Sequence, residues 1–198
     1  MSALSELYEE MTRCEECELS RHRSRVVPGE GPEEADILFI GEAPGWYEDQ
    51  QGRPFVGPAG HFLEELLRSI GLGREDVYIA NVIKCRPPSN RDPLPSEVRA
   101  CRRWLDRQIA LIRPKLIVTL GRHSLAQFFP GDAIGKVRGT ARKLEGTIYF
   151  AMYHPAAALH QQSLRQIIQQ DMLKIPSLLA QAEEVGEEEH RPQQLSMF

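Results

Sequence analysis

The four cysteines of the chain fall into two pairs that lie far apart in the sequence. Cys14 and Cys17 are separated by two residues, a spacing that lets two thiolates bind one metal centre. Cys85 and Cys101 could complete a tetrahedral site, although free cysteines also occur as small buried residues without a metal. The pattern favours a four-cysteine metal site and leaves zinc and iron–sulfur chemistry both open.

A second group of polar residues follows or interrupts apolar segments. The run GEAPG, residues 41–45, comes directly after an apolar run, and its flexible backbone could turn N–H groups toward a ligand. Asn81 lies inside an apolar segment, where a side-chain amide must find partners or costs about 1–3 kcal/mol. His154 ends another apolar segment; a lone histidine is more often structural, but an expected position beside GEAPG favours a functional role.

The loop that follows GEAPG holds an aromatic residue among glycines and prolines. Phe55 lies in GRPFVGPAG, a setting in which burial in a core is awkward. The ring could stack on a planar ligand or pack beneath the loop. We therefore treat Phe55 as a candidate stacking residue.

Hydrophobic periodicity predicts the elements that must position these residues. Strands are predicted at residues 36–40, 77–84, 115–121 and 147–155, and helices at residues 4–11, 58–71, 95–113, 121–129 and 162–180. Strands that alternate with helices predict an α/β fold with three layers, α/β/α, around a central four-stranded parallel sheet. Ligands bind at the carboxyl ends of the strands in such folds, so the polar segments should converge on one cleft.

Charge is distributed unevenly along the chain. The formal net charge is −4, yet residues 84–143 hold 14 basic and 4 acidic residues. This basic block is typical of contacts with phosphates, but for Arg99, Arg103 and Arg107 on the predicted long helix we expect a solvated helix face instead. No apolar run reaches the ~18–20 residues of a membrane span, and the N-terminus lacks a secretory signal, so we expect a cytoplasmic protein.

These motifs together resemble the family 4 uracil-DNA glycosylases, the iron–sulfur branch of the uracil-DNA glycosylase superfamily. The resemblance rests on GEAPG, GRPFVGPAG, YIANVIKCRPP, the cysteine spacing and YHPAAAL, and it covers about residues 8–180 in matching order. The chain departs from the family at Trp46 and Tyr47, where smaller or acidic residues are usual. A related branch that binds DNA covalently has a histidine-bearing basic insertion; residues 131–146 hold no histidine, so covalent capture is not expected.

The resemblance implies a cofactor and a set of site residues. The four cysteines are similar to the ligands of a [4Fe–4S] cluster, whose expected role is structural, not redox. Residues that line the uracil pocket by this resemblance are Gly41, Glu42, Ala43, Glu48, Phe55, Asn81 and His154. Among them, Phe55 stacks on the base, Asn81 reads its edge, and Glu48 lies where the family blocks the methyl group of thymine.

The implied reaction is hydrolysis of the bond between uracil and the sugar in single- and double-stranded DNA, the first step of base excision repair. His154 would donate to a carbonyl of the departing base, and Glu42 would orient or deprotonate the attacking water. Leu159 could fill the gap that the flipped base leaves, or pack in the core. Arg86 and Arg91 would bind phosphates.

The end of the chain suggests a tether. Residues 181–198 are acidic and poor in apolar side chains, which predicts a disordered tail after a glycosylase domain at residues 1–180. Its last residues, Gln194 to Phe198, resemble the peptide with which bacterial proteins bind the β sliding clamp. We expect a monomer. The alternatives to an enzyme are a catalytically silent, metal-stabilised module that binds DNA or senses damage, and a zinc-bound nucleotide-handling protein.

Overall fold

The computed structural model describes residues 2–189, with side chains through residue 183. Within that range the sheet contains the strands β1 (Ile37–Gly41), β2 (Tyr78–Asn81), β3 (Leu116–Leu120), β4 (Ala141–Leu144) and β5 (Thr147–Met152). The α-helices are α1 (Ala3–Thr12), α2 (Trp46–Gln51), α3 (Pro58–Ser69), α4 (Pro95–Ile112), α5 (Arg122–Leu125), α6 (Ile134–Val137), α7 (Ala157–His160), α8 (Gln162–Met172) and α9 (Ile175–Glu189). Short 3-10 helices lie at Glu18–Arg21, Arg74–Asp76 and Pro88–Asn90.

The five strands form one mixed sheet in the order β2-β1-β3-β5-β4. The first four are parallel, whereas β4 pairs antiparallel with β5 at the edge. The prediction of a four-stranded sheet therefore missed β4. This strand reads ARKL and is fully exposed, so it has no apolar pattern to detect; it turns into β5 through Glu145 and Gly146, both with positive φ as a two-residue hairpin requires.

Helices cover both faces of the sheet, as the sequence predicts. Alternate side chains of β1 point to opposite faces, and Ile37 and Phe39 belong to one core while Leu38 and Ile40 belong to another. Side chains from α3, α8 and α9 complete the first core, and side chains from α1 and α4 complete the second. The three layers follow from this alternation.

Several predicted elements differ from the structure in length: the fourth predicted strand ends at Met152, and the helix predicted at residues 121–129 covers only Arg122–Leu125. β2 ends at Asn81, although the next two residues still bond to the end of β1: Val82 N–H donates to Gly41 O at 3.0 Å. The predicted helix at residues 162–180 is two helices, α8 and α9, and α9 continues to Glu189. The division into a domain at residues 1–180 and a tail at residues 181–198 stays a prediction, and the Gln194–Phe198 peptide lies outside the described residues.

Among residues 2–189, no helix has both the length and the apolar character of a membrane span.

Candidate functional site

The polar segments meet at one cavity of about 310 Å³, at the carboxyl ends of the parallel strands. We call it the strand-end cavity. Its lining includes Glu42, Ala43, Pro44, Gly45, Trp46, Tyr47, Glu48, Phe55, Gly57, Asn81, Arg91, His154 and Leu159. The predicted convergence on one cleft is confirmed. The cavity lies near the lower end of the volumes of small-molecule sites, which suits a ligand the size of one nucleobase.

Asn81 lies at the floor of the strand-end cavity. It is only 2% exposed, and its Oδ1 has no hydrogen-bond partner among the described residues. Gly41 pairs with Asn81 across the sheet, and a Cβ on Gly41 would collide with Asn81 Oδ1 and lie 2.6 Å from Phe55 Cζ. An unpaired buried carbonyl costs about 1–3 kcal/mol, so Asn81 Oδ1 is a candidate contact for a ligand.

The structure corrects our interpretation of Phe55 as a residue that is awkward to bury. Phe55 is only 5% exposed and belongs to the core on the α3 side. Its φ of +52° turns the ring inward, where it stacks on His154 with centroids 5.5 Å apart and planes 25° apart. Arg74 holds this strained loop, because its guanidinium donates to Phe55 O at 2.8 Å and to Pro54 O at 2.6 Å. The ring still lines the cavity, and sequence reasoning missed Arg74.

Glu48 organises the loops around the cavity. One carboxylate oxygen accepts from Val56 N and Gly57 N, both at 2.9 Å, and the other accepts from Gly45 N at 3.1 Å. These bonds fix the start of α2 against the Phe55 loop. Glu48 also lines the cavity, so its predicted contact with a base stays a prediction alongside this structural role.

His154 follows β5 and is held in one tautomer. Ala156 N–H donates to its Nδ1 at 3.1 Å, so the proton of the neutral ring lies on Nε2. Burial lowers the pKa of His154 to about 4, and the ring is therefore neutral at pH 7. Gly121, with φ of +89°, lets β3 approach closely, since a Cβ there would lie 3.2 Å from His154 Cβ. His154 can thus offer a neutral N–H donor to the cavity.

Glu42 faces two residues that sequence reasoning missed. His123 Nε2 lies 3.7 Å from a Glu42 carboxylate oxygen and 3.7 Å from Asp92 Oδ2. Burial raises the pKa of the Glu42 carboxyl, and nearby His123 opposes that shift. These three groups have ligand atoms within 4.8 Å of one another, but Asp92 already pairs with Arg122, so the arrangement is explained as an ion-pair cluster. The sequence does place His123 shortly after β3, but its closeness to Glu42 follows only from the folded sheet, which brings the ends of β1 and β3 together.

The predicted DNA-binding residues differ in their surroundings. Leu159 is 48% exposed at the rim of the cavity, so the core-packing alternative is wrong. Arg91 lines the cavity and forms two hydrogen bonds with Glu97, at 2.6 and 2.9 Å. Arg86 Nε donates to Asn90 Oδ1 at 2.6 Å, and no ion pair of Arg86 occurs among the described side chains. Their contacts with phosphates stay predictions.

Most cations of the basic block are paired within the protein. The pairs are Arg91 with Glu97, Arg102 with Asp106, Arg103 with Glu16, Arg107 with Glu10, Lys115 with Asp36, Arg122 with Asp92, Arg138 with Asp171 and Arg142 with Asp132. Arg103 and Arg107 connect α4 to the acidic N-terminal segment, which agrees with a structural role for these two. Four of the acidic partners, Glu10, Glu16, Asp36 and Asp171, lie outside residues 84–143, so they offset part of the block's positive excess.

All four cysteines line a second, smaller cavity, which we call the cysteine cavity. All four are free thiols, and no three of their sulfur atoms lie within 4.8 Å of one another in the described chain. Four thiols around one cavity are a donor set that fits an iron–sulfur cluster, and zinc accepts the same ligands.

Positive groups surround the cysteine cavity. Arg23 Nη1 donates to Cys85 Sγ at 3.2 Å, and the backbone N–H of Lys84 donates to Cys101 Sγ at 3.3 Å. Burial raises the pKa of Cys101 to about 12, an effect that Lys84 partly offsets. A bound metal centre would supply the remaining positive charge that buried thiolates need.

Lys84 connects the two cavities. It is 1% exposed, and its ammonium donates to Asn81 O at 2.7 Å and to Gln108 Oε1 at 2.6 Å. Burial lowers the pKa of Lys84 to about 8. Although it begins the basic block, this lysine is buried, so it fixes the backbone of Asn81 and is not on the surface that DNA would reach.

Comparison with known proteins agrees with this geometry. The family model of the uracil DNA glycosylase superfamily matches residues 28–174. The chain is 48% identical over 188 residues to a type-4 uracil-DNA glycosylase of Sulfurisphaera tokodaii, covering 90% of this chain and 86% of that protein. Type-4 uracil-DNA glycosylases of Saccharolobus solfataricus and Archaeoglobus fulgidus are each 46% identical, with 91% and 90% of this chain covered and 88% and 94% of those proteins.

The match and the fold define an enzyme of the uracil-DNA glycosylase superfamily. Within it, the chain belongs to the type-4 uracil-DNA glycosylases, also called family 4. The resemblance drawn from the sequence motifs is confirmed, and with it the assignment to the enzymes that hydrolyse N-glycosidic bonds.

Proposed function

We propose that this enzyme flips uracil out of single- or double-stranded DNA and hydrolyses the bond between the base and its sugar without forming a covalent intermediate with DNA. The observation that carries this proposal is the buried Asn81 Oδ1, which has no partner among the described residues and lies where Gly41 leaves space. A uracil edge would supply a donor to this oxygen. The amine of cytosine would reverse one donor–acceptor position at that edge and be rejected.

In the proposed reaction, the bond from the sugar C1′ to the uracil nitrogen breaks and both electrons pass to the base. His154 stabilises the resulting uracil anion, because its neutral ring donates the Nε2 proton in a hydrogen bond to a uracil carbonyl. Phe55 stacks on the base and limits its orientation. Water then adds to C1′, and the products are free uracil and an abasic site.

Glu42 orients the attacking water and accepts its proton in this scheme. Burial raises the pKa of its carboxyl, which makes the carboxylate a stronger base than an exposed glutamate. His123 lies opposite Glu42, with its Nε2 3.7 Å from a carboxylate oxygen. Glu42 and Ala43 line the cavity on this side, and Gly41 pairs with Asn81 in the sheet.

DNA is held at the rim of the strand-end cavity. Leu159 is exposed there and can enter the base stack after the uracil leaves it. Flipping costs a few kcal/mol, and least at a mismatch such as uracil opposite guanine. Arg86 and Arg91 bind the backbone on the side of the cavity that follows β2.

We propose a [4Fe–4S] cluster as the cofactor, held by Cys14, Cys17, Cys85 and Cys101. The four thiols around one cavity and the hydrogen bonds donated by Arg23 and Lys84 support a thiolate-ligated centre, and the family resemblance supports iron and sulfide as its content. When bound, the cluster would supply a structural cross-link. The cysteine residues would then join the N-terminal segment to the chain that follows Asn81, while the ion pairs of Arg103 and Arg107 hold the same two segments from outside.

Action in the cytoplasm is a further proposal, which rests on the sequence alone. Recruitment by the β sliding clamp through Gln194–Phe198 and a monomeric state are further proposals. The peptide lies outside the described residues, so a test is needed: truncation after Arg191 should weaken clamp binding. Equal affinity of the truncated and full-length proteins would contradict recruitment.

The proposed activity is tested by release of free uracil from uracil-containing oligonucleotides, either single-stranded or in a duplex opposite guanine, with the visible spectrum of the same protein recorded. We expect free uracil, an abasic product and a brown protein that contains iron. His160→Ala is the matched control for the active-site histidine, since His160 is exposed and lies outside the cavity lining. No release of uracil would favour the silent DNA-binding module, and a colourless zinc protein would contradict the proposed cluster.

A further inference from the structure

The mouth of the strand-end cavity carries the two aromatic residues among the large exposed hydrophobic side chains of the described chain. Trp46 is 50% exposed and Tyr47 is 49% exposed. Their ring centroids lie 5.1 Å apart and their planes are nearly perpendicular, at 86°. Leu159 lines the same mouth, so apolar surface is concentrated where the cavity opens. Such concentration marks a site of interaction.

The two rings are held in fixed positions. Trp46 begins α2, and Glu48 ties this helix to the Phe55 loop through Val56 N and Gly57 N. Tyr47 lies against Gly57, where a Cβ would approach Tyr47 Cδ2 to 3.1 Å. Because the supporting backbone is anchored at both ends, the rings need little reordering before they bind a ligand.

We propose that Trp46 and Tyr47 form a stacking site for an unpaired base next to the nucleotide that enters the strand-end cavity. This inference rests on the proposed uracil excision, because it takes the strand that carries the uracil as the ligand. When one nucleotide enters the cavity, its neighbours lie at the mouth, where these rings are exposed. Every base offers a flat face to an aromatic ring, so the site would be tolerant of sequence.

Two features favour a nucleic-acid strand as the occupant over a protein partner. The apolar surface surrounds the opening of a cavity that fits one base, and Arg91 provides a guanidinium on the same lining. Stacking also depends on an unpaired base, since bases in a duplex are already stacked and paired. The aromatic pair should therefore contribute more to binding of single strands than of duplexes.

The test uses a single-stranded oligonucleotide with a tetrahydrofuran residue in place of the uracil nucleotide, and 2-aminopurine on its 5′ or 3′ side. A duplex of the same sequence serves for comparison. Trp46→Ala should weaken single-strand binding about tenfold and duplex binding less than threefold. Trp46→Phe should keep most of the affinity, and the wild-type protein should quench 2-aminopurine on one side of the gap while Trp46→Ala does not.

Leu173→Ala is the matched control, because Leu173 is 61% exposed and lies at the junction of α8 and α9, away from the cavity lining. It should leave both affinities unchanged. Equal single-strand affinity of the wild type and the Trp46→Ala, Tyr47→Ala double variant would overturn the proposal. So would an equal loss on single strands and duplexes, or wild-type self-association that Trp46→Ala abolishes.

Uracil release by the wild-type protein separates this inference from the proposed function. If uracil is released but the aromatic pair does not affect single-strand affinity, the stacking site is wrong and the glycosylase activity stands. If no uracil is released but quenching of 2-aminopurine still depends on Trp46, the stacking site stands and the activity is wrong.

Discussion

The strand-end cavity and the cysteine cavity lie on either side of Lys84, and they differ in whether their buried polar atoms have partners within the protein. In the strand-end cavity, a buried amide oxygen of Asn81 has no partner among the described residues and the mouth is open. In the cysteine cavity, two sulfur atoms accept hydrogen bonds and ion pairs close the surrounding segments. The strand-end cavity therefore suits a substrate that binds and leaves, whereas the cysteine cavity suits a permanently bound cofactor.

Among the variants that test the contrast between the two cavities, we expect the largest effect from a substitution at His154 in the strand-end cavity. His154→Ala should lower the rate of uracil excision by about 1,000-fold, because it removes a positioned donor to the leaving base. Binding of uracil-containing DNA and the visible spectrum should change little. Single-turnover excision and DNA affinity measure both effects. A rate within a few fold of wild type would refute the role of His154, and His160→Ala should behave like wild type.

Cys101→Ala tests whether the cysteine cavity holds a permanently bound metal centre. Loss of one thiolate should abolish the visible absorption of the cluster and lower the free energy of unfolding by about 3 kcal/mol, since metal binding is coupled to folding. Thermal unfolding should show a drop of about 10 °C. Ser20→Ala is the control, because Ser20 lines the same cavity without a thiol; it loses only the hydrogen bond from its hydroxyl to Cys17 O at 2.9 Å, so it should keep the visible absorption. An unchanged spectrum and melting temperature would mean that the cysteine cavity holds no such group.

The pH dependence of stability tests whether His154 is buried in its neutral form. Its pKa is about 4 in the folded protein, below the ordinary value of about 6.5, so the unfolded chain binds the proton first as the pH falls. Stability should therefore decrease from pH 6.5 to pH 4, by at most about 3 kcal/mol from this group. The free energy of unfolding, measured with denaturant at several pH values, should fall more steeply with decreasing pH for the wild type than for His154→Gln. The same pH dependence in both proteins would show that folding does not lower the pKa of His154.

Gly41→Ala tests the space beside Asn81. The new methyl group would meet Asn81 Oδ1 and lie 2.6 Å from Phe55 Cζ, so we expect about 100-fold lower excision at low substrate concentration. Gly135→Ala is a matched control, since a Cβ there comes no nearer than 3.6 Å to Tyr153 and the φ is ordinary. Near wild-type excision by Gly41→Ala would show that the cavity floor does not bind the base.

The smallest effect is expected on the surface. Arg86→Gln should weaken DNA binding a few fold and lower the salt dependence by about one released counterion. Arg107→Gln should not, because Arg107 is paired with Glu10 on the α1 side. Titrations at several salt concentrations compare the two variants. Equal changes would mean that the phosphates are bound by the basic block as a whole and not by Arg86 in particular.

Much of the site could be predicted because its residues follow local patterns. GEAPG and His154 come directly after apolar runs, and the rule that parallel strands share a carboxyl edge was sufficient to bring them to one cavity. β4 could not be predicted in this way, since ARKL is exposed on every residue and has no buried face. Phe55 was misjudged because its burial depends on a positive φ that Arg74 stabilises from another part of the chain.

The sequence by itself determined the family, four of the five strands with the longer helices between them, and the residue types at the strand ends. Only the tertiary structure decided which charges matter, because an arginine and its partner can be far apart in the chain, as Arg107 and Glu10 are. It also placed His123 opposite Glu42 and buried Lys84 between the two cavities. Local patterns report burial and periodicity, whereas pairing depends on which segments the fold brings into contact.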